Sequence, residues 1–189
     1  MEIAKPPHFK YHPNAYKANS YCNAVIEAKD GICACCEKSR GFIYSGSVYC
    51  EATVESLCPW CIADGSGAKK FNASFQSYIE TLEDETQASI ILSLEKIDEV
   101  MRRTPGYVSW QGTNWLTHCN DCCAFMGDLQ EGEYLQLPQA TRDLFRQEHS
   151  HLDWLSDTEI NELPPAHDIS IYQFQCLHCN FVRLYCDMS

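Results

Sequence analysis

Four Cys-x-x-Cys pairs can be drawn in this chain, Cys33/Cys36, Cys58/Cys61, Cys119/Cys122 and Cys176/Cys179, and they constrain the fold more than any other feature. A tetrahedral zinc ion takes four soft donors at about 2.3 Å, and a two-residue spacing lets one tight turn aim two sulfurs at a single point. The first two pairs are separated by 21 residues, close to zinc-ribbon spacing, and so define one four-cysteine site. The last two are 53 residues apart, so the second four-cysteine site needs folding to bring a mid-chain knuckle against a C-terminal one. Two zinc ions per chain are expected. For structural zinc, binding free energy is folding free energy, of order 10 kcal/mol in small peptides, comparable with the net stability of a whole domain.

The donor sets carry open alternatives. His118 or His178 can replace a sulfur, and Cys35 or Cys123 can compete with Cys36 or Cys122. Eight of the 13 cysteines are thereby assigned. Cys22, Cys35, Cys50, Cys123 and Cys186 remain, and they read as small buried hydrophobes. Paired Cys-x-x-Cys units hold metal more often than disulfides in a reducing compartment. The opening segment Met1-Glu-Ile-Ala-Lys-Pro-Pro-His8 has no apolar stretch of the kind a secretory signal needs. The longest apolar run, Ala88 to Leu94, is too short to span a bilayer. A soluble, cytoplasmic protein with no membrane segment is the expectation.

Charge bears on partners. Twenty-six acidic against 14 basic residues give a net charge of −12, and two zinc ions held by four thiolates each would take it to roughly −16. Such a surface repels a phosphate backbone and attracts a basic partner in a salt-dependent way. Most of the carboxylates, including the clusters Glu80 to Glu85 and Asp153 to Glu162, read as a solvated face.

The pattern along the chain is mixed. Residues up to Asn23 show no clear period. Ala24 to Ile32 reads as a strand entering the first knuckle, and Gly41 to Tyr49 as a hairpin turning at Ser45-Gly46. Strand, knuckle, hairpin and knuckle are the order of a zinc ribbon. From Asp84 to Arg103 the sequence is helical, with Ile90, Leu94, Ile97 and Met101 on one face and Thr104-Pro105-Gly106 as its stop. Gly106 to Trp115 is an aromatic loop, a candidate interface, although a core role for Trp110 and Trp115 is the simpler reading. Cys119 to Cys122 reads as the opening turn of a short helix. A helix from Pro138 to His149 buries Leu144 and Phe145, and another starts at Ser156 with Glu159 completing a capping box. Asp168 to Gln175 and Phe181 to Tyr185 read as strands flanking the last knuckle, and Asn180 tolerates the left-handed backbone such a knuckle needs. The fold class is α+β: zinc-ribbon-like β-hairpins with packed helices, and two four-cysteine zinc sites in one compact bilobal unit. Residues 24–75 form the N-terminal ribbon lobe and residues 76–189 a helical lobe with the second knuckle.

Catalysis finds little support in the residues. Cys58-Pro-Trp-Cys61 superficially resembles the redox dithiol of thioredoxin-like oxidoreductases, but Gly65 and Gly67 interrupt the long helix that activates such a thiol. A catalytic zinc keeps one position open to water, and four cysteines fill it. No phosphate loop, nucleophile elbow or zinc-protease helix motif is present. His149-Ser-His151 has the wrong spacing for two ligands on one helical face and reads as solvated or capping.

Several strings also resemble a known family. Leu57-Cys-Pro-Trp-Cys-Ile-Ala-Asp-Gly65 with Ala68-Lys-Lys-Phe71 and Phe75, the early Phe9-Lys-Tyr-His-Pro13, and Arg103-Thr-Pro-Gly106 are three of them. Trp110-Gln111, Trp115-Leu-Thr-His-Cys119 and Phe174-Gln-Cys-Leu-His-Cys179 complete the set. Together they are similar to the CbrC family of small bacterial proteins, over nearly the whole chain. The name-giving member is described as a colicin-tolerance protein, so the resemblance implies a non-enzymatic, immunity- or tolerance-like protein that binds a basic nuclease-type toxin. Two other readings compete. A zinc-ribbon regulatory protein associated with nucleic acid would need Lys38, Arg40, Lys69 and Lys70 on one face. A thiol oxidoreductase would use Cys58/Cys61.

Overall fold

The computed structural model describes residues 5–18, 24–80, 92–165 and 168–188. Among the described residues the first six strands are two residues long each, the last three are five to seven, and the helices are few, an α+β arrangement. Strand β1 (Ile26–Glu27) pairs antiparallel with β2 (Ile43–Tyr44), in register Ile26↔Tyr44 and Glu27↔Ile43, and the first knuckle is carried on the connection between them. The predicted strand over 24–32 is therefore two residues long. The hairpin expected at Ser45-Gly46 does not form, because the Tyr44 N–H donates to the Leu57 carbonyl at 2.8 Å and so recruits the segment before Cys58 instead. The Tyr44 ring then folds over Gly46, where an added Cβ would lie 2.4 Å from the Tyr44 hydroxyl oxygen.

Cys58 is the N-cap residue of α1 (Pro59–Ala63), whose first position is taken by a proline with no N–H to satisfy. Gly65, with φ +75°, ends this helix and starts α2 (Ser66–Phe71). Gly67 does not interrupt a helix. It lies buried inside α2, where a Cβ would meet the Cys61 carbonyl oxygen at 3.1 Å. Phe9, Ile26, Tyr44, Leu57, Ile62 and Phe75 pack around this unit as one core cluster.

Strand β3 (Tyr78–Ile79) runs parallel to β4 (Asn114–Trp115). Between them, α3 (Leu94–Arg103) is capped by the Ser93 hydroxyl, which accepts from the Lys96 N–H, and is followed by Thr104 in the extended conformation that a residue before proline favours. The part of the predicted helix before residue 92, with Ile90 and most of the first acidic cluster, lies outside the described residues, as does Cys22. The buried face is also rotated from the expected one: Val100 is fully buried, Ile97 and Met101 are partly so, and Leu94 is 84% exposed.

The hairpin of β5 (Thr117–His118) and β6 (Asp121–Cys122) turns at Cys119-Asn120, both with positive φ (52° and 55°). That is the backbone of a two-residue primed turn, and it replaces the short helix expected there. Strand β7 (Ala124–Asp128) then pairs with β8 (Ile169–Gln175), which pairs with β9 (Val182–Met188), all antiparallel. A second core gathers Val100, Tyr107, Trp115, Phe125, Tyr172 and Phe174, with the Tyr107 and Phe125 rings stacked at 4.3 Å. A third packs α4 (Gln139–Glu148) and α5 (Asp157–Asn161) on the sheet through Tyr134, Phe145, Ile160, Ile171 and Leu184. In α4, Phe145 is buried as predicted, but Leu144 is half-exposed and Thr141 is its buried partner. The Ser156–Glu159 capping box of α5 is present in both directions.

His149 is buried rather than solvated and takes the capping role instead, as the C-cap residue of α4: its Nδ1 donates to the Phe145 carbonyl and its Nε2 accepts from the Cys186 N–H at 3.2 Å. Burial lowers its pKa to about 4. Buried Arg183 on β9 joins Glu80, Glu148 and the Thr117 carbonyl, so one guanidinium ties the chain beyond β3, the end of α4 and β5 together. Fully buried Asp187 accepts from the Ser109 hydroxyl, the Tyr172 hydroxyl and the Trp110 N–H, pinning the aromatic loop to β9. Within that loop Trp115 is wholly buried, while Trp110 is 64% exposed.

Candidate metal centres

The two knuckles of the first set meet. The sulfurs of Cys33, Cys36, Cys58 and Cys61 all lie within 4.8 Å of one another, and Cys36 Sγ stands 3.8 Å from Cys58 Sγ. Four sulfurs at about 2.3 Å from a tetrahedral ion are separated by about 3.8 Å, so this spacing fits zinc. The geometry is built locally. The Glu37 N–H donates to the Cys33 carbonyl at 2.8 Å, and Glu37 itself takes a positive φ of 58°, turning the chain tightly behind the first pair. Lys70 donates to the Ala34 and Cys35 carbonyls at 2.8 and 3.0 Å, which fixes the same turn from α2. The second pair sits at the start of α1, with the Cys58 N–H donating to Cys33 Sγ at 3.2 Å.

Cys33 and Cys58 are fully buried and Cys61 nearly so. Burial works to raise the Cys33 thiol, but backbone N–H groups of Cys36, Cys58 and Cys35 outweigh it and bring it down to about 7. Burial pushes Cys58 up to about 11. A cation at the centre reverses that preference by stabilising thiolate. Cys35, the alternative donor, lies outside the group and donates to Ser66 Oγ at 3.6 Å.

The second group has a different membership from the four-cysteine set read in the sequence: His118, Cys119, Cys176 and Cys179 converge within 4.8 Å, and Cys122 does not join them. The hairpin explains the exchange. Side chains alternate across a strand, so Cys122, opposite Thr117, faces away from the side that carries His118 and Asp121. Cys122 is buried in the second core, where burial, followed by the Asp121 carboxylate, raises its thiol to about 12. His118 Nδ1 stands 3.2 Å from Cys119 Sγ and 3.4 Å from Cys179 Sγ, and the two sulfurs are 3.8 Å apart. Its ring stacks on Phe181 at 5.1 Å. Burial, and then the Arg183 charge, lowers the His118 pKa and favours the neutral imidazole that can ligate.

The other half of this group is the β8–β9 connection. The Cys176 N–H donates to the Phe181 carbonyl at 2.8 Å, and Asn180 has the left-handed φ of 60° that the sequence suggested. His178 stays outside the group and pairs with Asp121 at 2.9 Å. Asp121 also accepts from Tyr11 at 2.8 Å and pairs with Lys96 at 3.1 Å. Burial works to raise its carboxyl, but His178, Tyr11 and Lys96 together hold it below the ordinary value. This buried carboxylate supports the turn from beneath. Sequence reasoning left His118 open as a substitute; its adjacency to a Cys-Asn turn was the available signal.

Among the surplus cysteines, Cys123 and Cys186 are buried as expected, whereas Cys35 and Cys50 are half-exposed. No disulfide joins the described cysteines. Among the described residues no helix is long and apolar enough to cross a membrane.

A family model described as "Uncharacterised protein family (UPF0167)" matches residues 6–188. A UPF0167 protein of Pseudomonas aeruginosa is 40% identical, over 92% of each chain. UPF0167 proteins of Mycobacterium bovis and Mycobacterium tuberculosis are each 36% identical, over 98% of this chain and 95% of theirs. No solved structure matches. These findings correct the resemblance to the CbrC family: the matching model and these relatives carry the other name, and the colicin tolerance that came with the resemblance loses its basis. The chain belongs to the UPF0167 family.

Proposed function

We propose that this is a non-enzymatic protein of a reducing compartment that holds two zinc ions as braces and offers an acidic surface to a basic protein partner. The observation that carries the reading is the pair of four-donor groups, Cys33/Cys36/Cys58/Cys61 and His118/Cys119/Cys176/Cys179. Four protein donors around a zinc ion leave no position for a water or a substrate, which is the signature of a structural site. With one histidine among the donors, the loaded protein carries a net charge of about −15. A charge of that size favours encounter with basic polypeptides, nuclease-type toxins among them, and opposes binding of nucleic acid.

The competing readings are less well supported. Of the four basic residues a nucleic-acid role needs, Lys70 is held by knuckle carbonyls and Arg40 lies 5.2 Å over the Trp60 ring. A redox role for Cys58/Cys61 requires a thiol of low pKa, and burial raises both.

Metal analysis of the purified chain tests the first half of the proposal: two zinc ions per chain are expected, and a metal-free folded protein refutes it. For the second half, affinity for a basic nuclease and for a duplex oligonucleotide is measured across a salt series. Binding to the former that weakens with salt supports the reading. Preference for the oligonucleotide at physiological salt overturns it.

A further inference from the structure

The two donor groups differ in their access to solvent. In the first, Cys33 and Cys58 are fully buried, Cys61 is 3% exposed and only Cys36 is half-buried. In the second, Cys119 and Cys179 are both exposed, Cys176 is fully buried and His118 is half-buried. The exposed pair is also an adjacent pair, with sulfurs 3.8 Å apart on two turn tips. Each tip is a tight turn of left-handed residues, Cys119-Asn120 on one side and Asn180 on the other. Neither sulfur is part of the core clusters that hold the strands, whereas Cys176 is.

Resting on the metal-site reading above, we propose that the second site is a peroxide-reactive modification site in which Cys119 and Cys179 are oxidised together and the metal is released. Zinc-bound sulfurs are thiolates, and oxidation of thiolates is governed by access of the oxidant. The oxidant is hydrogen peroxide or an organic hydroperoxide. One exposed thiolate, taken here as Cys179, attacks the peroxide: an S–O bond forms, the O–O bond breaks, and the departing hydroxide or alkoxide is protonated to water or an alcohol. The Cys119 thiolate then attacks the Cys179 sulfur. An S–S bond forms, the S–O bond breaks, and a water leaves. With hydrogen peroxide, two thiolates, one peroxide and two protons thus give one disulfide and two waters; the sulfurs lose two electrons and the peroxide gains them. Zinc leaves without changing oxidation state, since His118 and Cys176 alone make a weak site. The two sulfurs must close from 3.8 Å to a bond of about 2.05 Å, and each is carried on a turn tip. A thiol reductant reverses the step.

The test uses the full zinc-loaded chain. Hydrogen peroxide is titrated in while released zinc is read with a colorimetric chelator, and each stage is trapped with an alkylating agent and mapped by peptide mass spectrometry. The first zinc is expected to leave about tenfold faster than the second, as access dictates. At that stage a Cys119–Cys179 disulfide should be present, with Cys33, Cys36, Cys58 and Cys61 unoxidised. Dithiothreitol and zinc should restore the starting mass and metal content. Equal release from both sites, earlier loss from the first site, or release without that disulfide overturns the proposal. Because the unmodified chain is used, failure of a cysteine variant to fold cannot confuse the result. A chain that carries no zinc before peroxide is added refutes the metal-site reading separately; the peroxide proposal then stands or falls on whether the same disulfide still forms first.

Discussion

Single substitutions separate the donor set read in the sequence from the set of side chains that converges in the structure. His118→Ala should lower bound zinc from two ions per chain to one, because His118 Nδ1 points at Cys119 and Cys179, while Cys122→Ser should leave two. Cys122→Ser acts through packing instead, and its effect should be limited to about 1–2 kcal/mol of stability from placing a hydroxyl among apolar neighbours. Zinc content by plasma emission and urea unfolding read the two effects apart. Every sulfur donor of the two groups is legible from Cys-x-x-Cys spacing with no other information. His118 is not, because the choice between it and Cys122 is made by the φ angles of Cys119 and Asn120, which decide which strand face looks outward.

Two buried histidines give a second expectation at this scale. His12 and His149 both have pKa values lowered to about 4 by burial, with each Nδ1 donating to a backbone carbonyl. A folded pKa below the ordinary 6.5 means that the unfolded chain binds more protons between those values. The stabilisation is therefore full above pH 6.5 and is lost as pH falls toward 4, by up to about 3 kcal/mol for each ring. Nitrogen-15 spectra of the rings should show both neutral, in the Nδ1–H tautomer, at pH 5.5. A protonated ring at that pH would contradict the burial argument.

At the scale of elements, turn chemistry matters more than strand length. The Cys119-Asn120 turn carries two left-handed residues, and asparagine is among the few side chains that accept that backbone readily. Asn120→Val should destabilise the zinc-loaded protein by about 1–2 kcal/mol, whereas Asn120→Gly should stay within about 0.5 kcal/mol of the parent. Denaturant midpoints measure both. Elements with strong local signals were readable: the capping box at Ser156, the proline start and Phe145 of α4, and the β8–β9 hairpin with Asn180. Elements whose partners come from a distance were not. Tyr44 pairs with Leu57 rather than with Ser47 across a Ser45-Gly46 turn, and Tyr78 pairs in parallel with Asn114, choices that no local pattern encodes. Leu94 shows the limit of periodicity: the 3–4 spacing fits a buried stripe, but the core touches α3 only from Ile97 onward.

For the whole molecule, the described residues supply apolar burial in three core clusters, and each of the two donor groups joins chain segments far apart in sequence. Stripping both metals at neutral pH with a strong chelator should therefore lower the melting temperature by more than about 10 °C, and zinc should restore it. A melting temperature indifferent to chelation would mean that the cores suffice alone. The overall α+β class was readable from hydrophobic periodicity, turn and capping residues and Cys-x-x-Cys spacing; the way the small sheets associate was not, since it follows from the buried Arg183 and Asp187 contacts.

The sequence distance across each donor group sets how the polypeptide comes together. Cys36 and Cys58 are 22 positions apart, and Cys119 and Cys179 are 60 apart. Closing the longer loop costs about 0.9 kcal/mol more in chain entropy. The N-terminal centre can therefore nucleate from its own neighbourhood during refolding, while the other must wait for distant strands to arrive, so limiting zinc should fill the two in sequence rather than at once.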